Sequence, residues 1–224
     1  MAATAGRAPH GGPSVQLPLD DPPSSDPRTN AELRARLRAC TVAIIGCGGL
    51  GSNAAQMLVR SGIGRLVLVD HDRVEEDNLN RQFFFRDQIG MLKTEALAEN
   101  LRRIQPDVDL SLMTERVSSQ TLIELVRSAD VIIEAVDTAE AKAMIMDVCT
   151  RDLPDVPLVT ASGLAGHGSA NAIVTERLSD NLYVVGDLTS DVRSGLALFA
   201  SRVGVAAAAE AHMVVRLLLG YPEP

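Results

Sequence analysis

Short apolar runs of strand length alternate with longer stretches of helical periodicity along most of this chain. Residues 41–45, 65–70, 131–136 and 157–161 are compact runs rich in Val, Ile and Leu, and residues 108–113 alternate as a half-buried strand does. Between them, Leu92, Ala96, Ala98, Leu101 and Ile104 recur at helical spacing within residues 91–104. Residues 53–60, 121–127 and 139–151 read as further helices. Thr29-Asn30-Ala31-Glu32 spells a capping box and predicts a short helix through Ala39. Strands alternating with helices predict βαβ units, hence an α/β, Rossmann-like, mostly parallel sheet with helices on both faces. After Ser162 the rhythm changes. Residues 169–177 and 182–185 are β-rich and predict an antiparallel C-terminal extension, followed by a last helix over residues 200–219. Residues 1–27, rich in Pro, Gly, Ser and Ala without periodicity, read as a flexible arm, which leaves 28–224 as a single nucleotide-binding domain.

Composition narrows the function classes. Aromatic residues make up 3% of the chain with no Trp, which argues against a base-stacking surface for single-stranded nucleic acid. A formal net charge of −8 and the lack of a dense basic run argue against a duplex-binding face. Cys40, Cys47 and Cys149 form neither a disulfide framework nor the CxxC pairs of a structural zinc, so no zinc is expected. The opening residues lack the apolar core of a secretory signal, and Glu210, His212 and Arg216 interrupt the most apolar late stretch. A cytoplasmic protein without a membrane span is expected.

The chemistry begins at Gly46-Cys47-Gly48-Gly49-Leu50-Gly51-Ser52, a glycine-rich turn between a strand and a helix. Gly46, Gly48 and Gly51 satisfy GxGxxG: a tight turn, close backbone approach to phosphate, and close helix–strand packing. The exposed N–H groups and the positive helix end hold an anion, and Gly49 adds a fourth position without a side chain. Asp70 follows Gly46 by 24 residues, near the spacing of a ribose-binding carboxylate. NAD, FAD and ATP sites all fit this motif.

The next segment departs from a simple dinucleotide fold. About twenty polar and aromatic residues separate Asp70 from Met91, and loops of that length are seldom mere connectors. Asp72, Asn78, Arg81 and Gln82 lie in it, and Lys93 opens the following helix, where the positive helix end disfavours a cation unless an anion sits between them. Asp137 follows the strand at 131–136 and converges with Asp70 and the glycine turn at one sheet edge. It either coordinates Mg²⁺ or caps the next helix.

Taken together, GCGGLGS, Asp70-His71-Asp72, NLNRQ at 78–82, Lys93 in GMLK and Asp137 resemble the E1-like activating enzymes of the ThiF/MoeB/HesA group. SGIGRLVLVD, NLNRQFF, QIGMLKTEAL, EAVDTAEAKAM and ASGLAGHG are most similar to the short ThiF branch, which adenylates the sulfur carrier ThiS for thiamine thiazole synthesis. The resemblance implies a homodimer that binds ATP and Mg²⁺ and activates the terminal glycine carboxylate of a ubiquitin-like carrier. It implies that Gly49 lies against the nucleotide, Asp70 holds the ribose and residues 77–81 line the pocket. Arg81 and Lys93 would neutralise phosphate charge and Asp137 would hold the metal; these three are the candidate catalytic residues. Longer relatives carry zinc ligands and a sulfur-transfer cysteine. Neither zinc pair exists here, Cys149 reads as buried core, and sulfur is expected from a separate donor. An N-terminal arginine reaches the partner's site in some relatives, and Arg28 is the candidate. His167, near a strand end, is a secondary candidate to approach the carrier's tail or else a tolerated loop residue; His71 can pair with either flanking aspartate or stay solvated; and Arg202, at the start of the last helix, is a candidate to face the carrier channel. A nicotinamide-dependent oxidoreductase and a non-catalytic carrier-binding scaffold are the competing readings.

Overall fold

The computed structural model describes residues 26, 28–191 and 195–224. Apart from Asp26, the arm read over residues 1–27 lies outside the described residues. Helix α1 (Asn30–Arg38) opens with the capping box: Thr29 Oγ1 accepts from the Glu32 N–H, and the Glu32 carboxylate accepts from the Thr29 N–H. There follow β1 (Thr41–Ile45), α2 (Gly49–Ser61), β2 (Arg65–Val69), α3 (Lys93–Ile104), β3 (Asp109–Met113), α4 (Ser119–Val126), β4 (Val131–Glu134), α5 (Ala139–Asp152) and β5 (Leu158–Ala161). The chain ends with β6 (Val174–Ser179), β7 (Leu182–Gly186) and α6 (Ala200–Leu219).

The seven strands form one sheet in the order β3-β2-β1-β4-β5-β7-β6. Every neighbouring pair is parallel except β6 with β7, so the antiparallel extension sits at one edge. Strand periodicity sorts the side chains onto two cores. Val42 and Ile44 of β1 pack with α2, α3 and α6 through Leu58, Leu97 and Val214. Ala43 and Ile45 turn the other way, onto Leu122 and Val126 of α4 and Ile145 and Val148 of α5. Both faces of the sheet are therefore covered, which is why its central strands are mostly apolar, with Glu134 and Thr160 as the buried polar exceptions in β4 and β5. Among the described residues no helix is long and apolar enough to cross a membrane.

Three of the boundaries that differ from the sequence expectation have a local reason. Helix α2 starts at Gly49, inside the glycine turn, rather than at residue 53. The second half of the motif is already helical, so its free N–H groups form the turn itself. Strand β4 stops at Glu134, two residues early, because Ala135 and Val136 bend around Gly46. The β-rich stretch at 169–177 is a 3-10 turn (Ala170–Ala172) followed by β6, which begins only at Val174.

Candidate active site

β1 and β4 are parallel neighbours, but the succession of strands runs outward in opposite senses from them, to β2 and β3 on one side and to β5 on the other. Such a switch point leaves a crevice at the carboxyl ends of the strands. Ile45, the last residue of β1, pairs with Val69 on one side and Glu134 on the other, so the turns after β1, β2 and β4 meet there. Gly46 has φ +98°, and a Cβ on it would lie 2.5 Å from the Ala135 carbonyl oxygen. A Cβ on Gly51 would lie 1.8 Å from the Gly46 oxygen. These two glycines are demanded by the fold. Gly48 differs, because the nearest atom to a Cβ there is Gln82 Nε2 at 3.8 Å. The space before Gly48 is not filled by protein. A Cβ on Gly49 would touch Val203 of α6 at 3.1 Å and the Arg81 side chain at 3.6 Å.

Asp70 follows β2 and reaches back to this turn. Its Oδ2 accepts the Cys47 N–H at 2.7 Å and its Oδ1 the Asp72 N–H at 2.8 Å. Each oxygen keeps a lone pair for a further donor, such as a ribose hydroxyl. The long loop after it is laid over the start of α2. Asn53 Nδ2 donates to the carbonyls of Gly49 (2.6 Å) and Arg81 (2.9 Å), and the Phe83 N–H donates to Ser52 Oγ at 2.9 Å. This stitching holds the Arg81 stem across Gly49, with its guanidinium donating to Asn80 Oδ1 at 2.8 Å and the Asp77 carbonyl at 3.2 Å. The Oε1 of Gln82 is buried without a hydrogen-bond partner. A buried amide oxygen left in that state costs stability unless a ligand or water satisfies it. Asn78 turns its Oδ1 onto the Glu75 N–H, so its side chain shapes the 3-10 turn at Glu76–Asn78.

Lys93 is buried at the first position of α3 and its Nζ contacts Asp72 Oδ2 at 2.9 Å. The clash between a lysine and a positive helix end is thus relieved within the chain, by Asp72, where the sequence pointed to a ligand. Burial raises the Asp72 carboxyl, but the hydrogen bond and charge of Lys93 outweigh it and hold the group below the usual carboxylate range. His71 Nε2 lies 3.2 Å from Arg116 and 3.5 Å from Asp72, pairing with the second of its two flanking aspartates.

Asp137 is exposed, and among the described residues it makes no hydrogen bond or ion pair. The cap of α5 is Thr138, whose hydroxyl accepts the Ala141 N–H, so the capping alternative for Asp137 is set aside. An unengaged carboxylate beside the phosphate turn fits the donor set of Mg²⁺. Asp70, His71 and Asp72 also cluster closely, but Asp70 is committed to two backbone N–H groups and Asp72 to Lys93.

Other residues fall elsewhere. Arg28 donates to Asp26 and to the Leu219 carbonyl and stacks on Tyr221, which ties it to the far end of its own α6. Arg202 does not line a channel as a free cation. It is buried, donating to the Gly168 and Ser169 carbonyls and to Asp187 Oδ2 at 2.5 Å. That pair fixes the loop carrying His167, which is exposed and packs edge-on against Phe199. Cys47 and Cys149 are buried, and burial first, then nearby carboxylates, push both thiols up, Cys149 to about 11. Two buried carboxyls were given no role by the sequence reading, although Glu210 was seen to interrupt an apolar stretch. Glu134 closes an apolar strand and Glu210 interrupts an apolar helix, and both side chains are fully buried. The one sequence signal was an acid in each hydrophobic run.

The model of the ThiF family matches residues 26–224. The chain belongs to the ThiF family. Among curated relatives, this ThiF chain is 40% identical over 132 residues to ubiquitin-like modifier-activating enzyme 5 of Arabidopsis thaliana, covering 52% of the chain and 31% of the relative. It is 37% identical over 143 residues to the adenylyltransferase and sulfurtransferase MOCS3 of Bos taurus (63% and 31%). It is 35% identical over 146 residues to the SAMP-activating enzyme E1 of Haloferax volcanii (65% and 53%). The match thus spans about a third of the length of the first two. Among solved structures, E. coli tRNA N6-threonylcarbamoyladenosine dehydratase, TcdA, in complex with ATP superposes with a TM-score of 0.76 at 22% identity, covering 84% of this chain and 89% of that one. E. coli MccB with ATP gives 0.68 at 25% identity (87% and 60%). The Rossmann-like ThiF fold expected from the sequence is the one observed.

Proposed function

We propose that this ThiF-family chain is an ATP-dependent adenylyltransferase that activates the C-terminal glycine carboxylate of a ubiquitin-like carrier. The observation that carries the reading is the open position of Gly48 at a switch point, where a Cβ would meet nothing nearer than Gln82 Nε2 at 3.8 Å, with Asp70 bound to the same turn and the Arg81 stem laid across Gly49. The names of the relatives, activating enzymes and an adenylyltransferase among them, support the same class.

In this reading a carboxylate oxygen of the carrier attacks the α-phosphorus of ATP. The bond from that phosphorus to the oxygen bridging it to the β-phosphorus breaks, and pyrophosphate leaves with the electron pair. The products are acyl-adenylate and pyrophosphate. No general base is needed, because the attacking carboxylate is ionised at neutral pH. The chain's work is positioning and charge stabilisation. Backbone N–H groups from Gly48 to Gly51 face phosphate, Asp70 holds the ribose, and Arg81 and Lys93 stabilise the charge as it shifts toward the leaving group. Asp137 is the residue we assign to Mg²⁺, which when bound withdraws negative charge from phosphate oxygens.

The finer assignment is a ThiS-like carrier, with the thiazole of thiamine as the end use, in a cytoplasmic homodimer supplied with sulfur by a separate donor. Buried thiols at Cys47 and Cys149 support a separate donor. A thermal-shift experiment separates this reading from a nicotinamide-dependent oxidoreductase. At about 100 times the dissociation constant, Mg·ATP contributes about 2.7 kcal/mol, or a rise of roughly 5–10 °C for a chain of this size. A shift with NADH and none with Mg·ATP contradicts the proposal.

A further inference from the structure

One group of polar side chains, Glu134 and Thr160 buried and Lys142 half-buried, lies outside the phosphate site and has no part in the chemistry above. Glu134, fully buried at the end of β4, accepts the Val136 N–H through Oε1 at 2.9 Å. Its Oε2 meets the Lys142 ammonium of α5 and the Thr160 hydroxyl of β5. Lys142 Nζ donates in addition to Thr160 Oγ1 at 2.9 Å and to the Ala161 carbonyl at 3.0 Å. Three acceptors converge on one ammonium, which matches its three donors. The cluster therefore joins the carboxyl ends of β4 and β5 to the second turn of α5.

Its location gives it a consequence. Asp137 makes no bond of its own, so the backbone on either side fixes its place. On one side Glu134 holds the Val136 N–H and the Ala135 N–H donates to the Ile45 carbonyl at 2.8 Å. On the other side Thr138 caps α5, and the Lys142 N–H closes the first helical bond onto the Thr138 carbonyl at 3.0 Å. Lys142 is thus attached to both flanks of Asp137, through its ammonium to Glu134 and through its backbone to Thr138. The same ammonium holds Ala161, where β5 opens into the loop carrying His167. We infer that Lys142, braced by Glu134 and Thr160, is a positioning residue that sets the Asp137 carboxylate at the phosphate crevice. The inference rests on the assignment of Asp137 to Mg²⁺ proposed above. Partners behind a metal ligand commonly govern affinity by about 10–100-fold.

The test uses ATP binding by the whole protein, measured calorimetrically with and without Mg²⁺, beside thermal melting. Wild type is expected to bind ATP more tightly with Mg²⁺, and Asp137→Ala to lose that gain with an unchanged melting temperature. Lys142→Met is expected to lose at least about tenfold of the gain while Mg²⁺-free affinity stays within about threefold. Because this variant strands a buried carboxylate, it also melts lower. The double variant Glu134→Gln/Lys142→Met removes both charges and recovers stability, yet does not recover the Mg²⁺ gain. Full retention of the gain in Lys142→Met, or its return with stability in the double variant, overturns the inference and leaves the adenylation reading intact. No gain in wild type, or full gain in Asp137→Ala, overturns the Asp137 assignment and the inference with it.

Discussion

Arg81 earned its place from sequence type alone, but its role depends on how its stem is carried. The bonds from Asn53 to the Gly49 and Arg81 carbonyls place that stem across the phosphate turn. Losing one preorganised donor to developing charge slows a reaction by about 10²–10³-fold, and Arg81→Ala is expected to slow ATP–pyrophosphate exchange to that extent. Exchange near the wild-type rate would remove Arg81 from the catalytic set. Glu210 tests the residue scale in a different way. Burial, then repulsion by Glu134, raise its carboxyl well above the ordinary value, with Lys142 opposing. Glu134 of β4 and Lys142 of α5 are the charged groups facing it, and neither of its oxygens has a partner. The folded state therefore keeps a proton that the unfolded chain releases. Stability from this group is full below the unfolded value of about 4.5 and is lost as pH rises toward the folded one, by at most about 1.4 kcal/mol per pH unit. Glu210→Gln should melt above wild type at pH 8, by a margin that shrinks toward pH 5. A constant margin would contradict a protonated Glu210.

Among elements, the glycine turn divides by what surrounds each glycine. A methyl group on Gly46 would meet the Ala135 backbone and one on Gly51 the Gly46 carbonyl, whereas Gly48 is open. Gly51→Ala is expected to cost about 1–3 kcal/mol or more, seen as a drop of several degrees in melting temperature. Gly48→Ala meets no atom closer than 3.8 Å, so it should melt within about 2 °C of wild type while losing ATP affinity at least about tenfold. Unchanged ATP affinity in Gly48→Ala would remove the phosphate from that position. The motif was legible as four glycines, but not this division, which depends on Ala135, 89 residues beyond Gly46. Strand and helix periods were legible wherever one face met a core, as in β1, β7 and α6. They failed where tertiary contact overrode pattern: β4 ends early because Gly46 needs its neighbour's bend, and Arg202 is neutralised by Asp187 from a loop no periodicity describes.

For the molecule as a whole, the decisive property is the strand order. Alternation of strand and helix announces a parallel sheet, but only the observed order puts the turns after β1, β2 and β4 at one switch point. That order brings Gly46, Asp70 and the loop of Asp137 together from three separate stretches of sequence. The resemblance drawn from short motifs foresaw the family, and the family match over residues 26–224 agrees with it. What the motifs could not supply was the interior: Glu134, Lys142 and Glu210 are ordinary residues in sequence, and the two buried carboxyls come under the charge of the half-buried Lys142 only when β4, α5 and α6 pack. The identity of the proposed carrier is equally beyond them, since a glycine turn says nothing of a protein tail. The most direct measurement of the central claim is ATP–pyrophosphate exchange with the purified chain, Mg²⁺ and a ThiS-like carrier ending in Gly-Gly, beside the same carrier lacking its last glycine. The account predicts label incorporation into ATP with the intact tail and background with the shortened one. Exchange that is indifferent to the terminal glycine, in a chain shown to bind both ATP and the carrier, would contradict it.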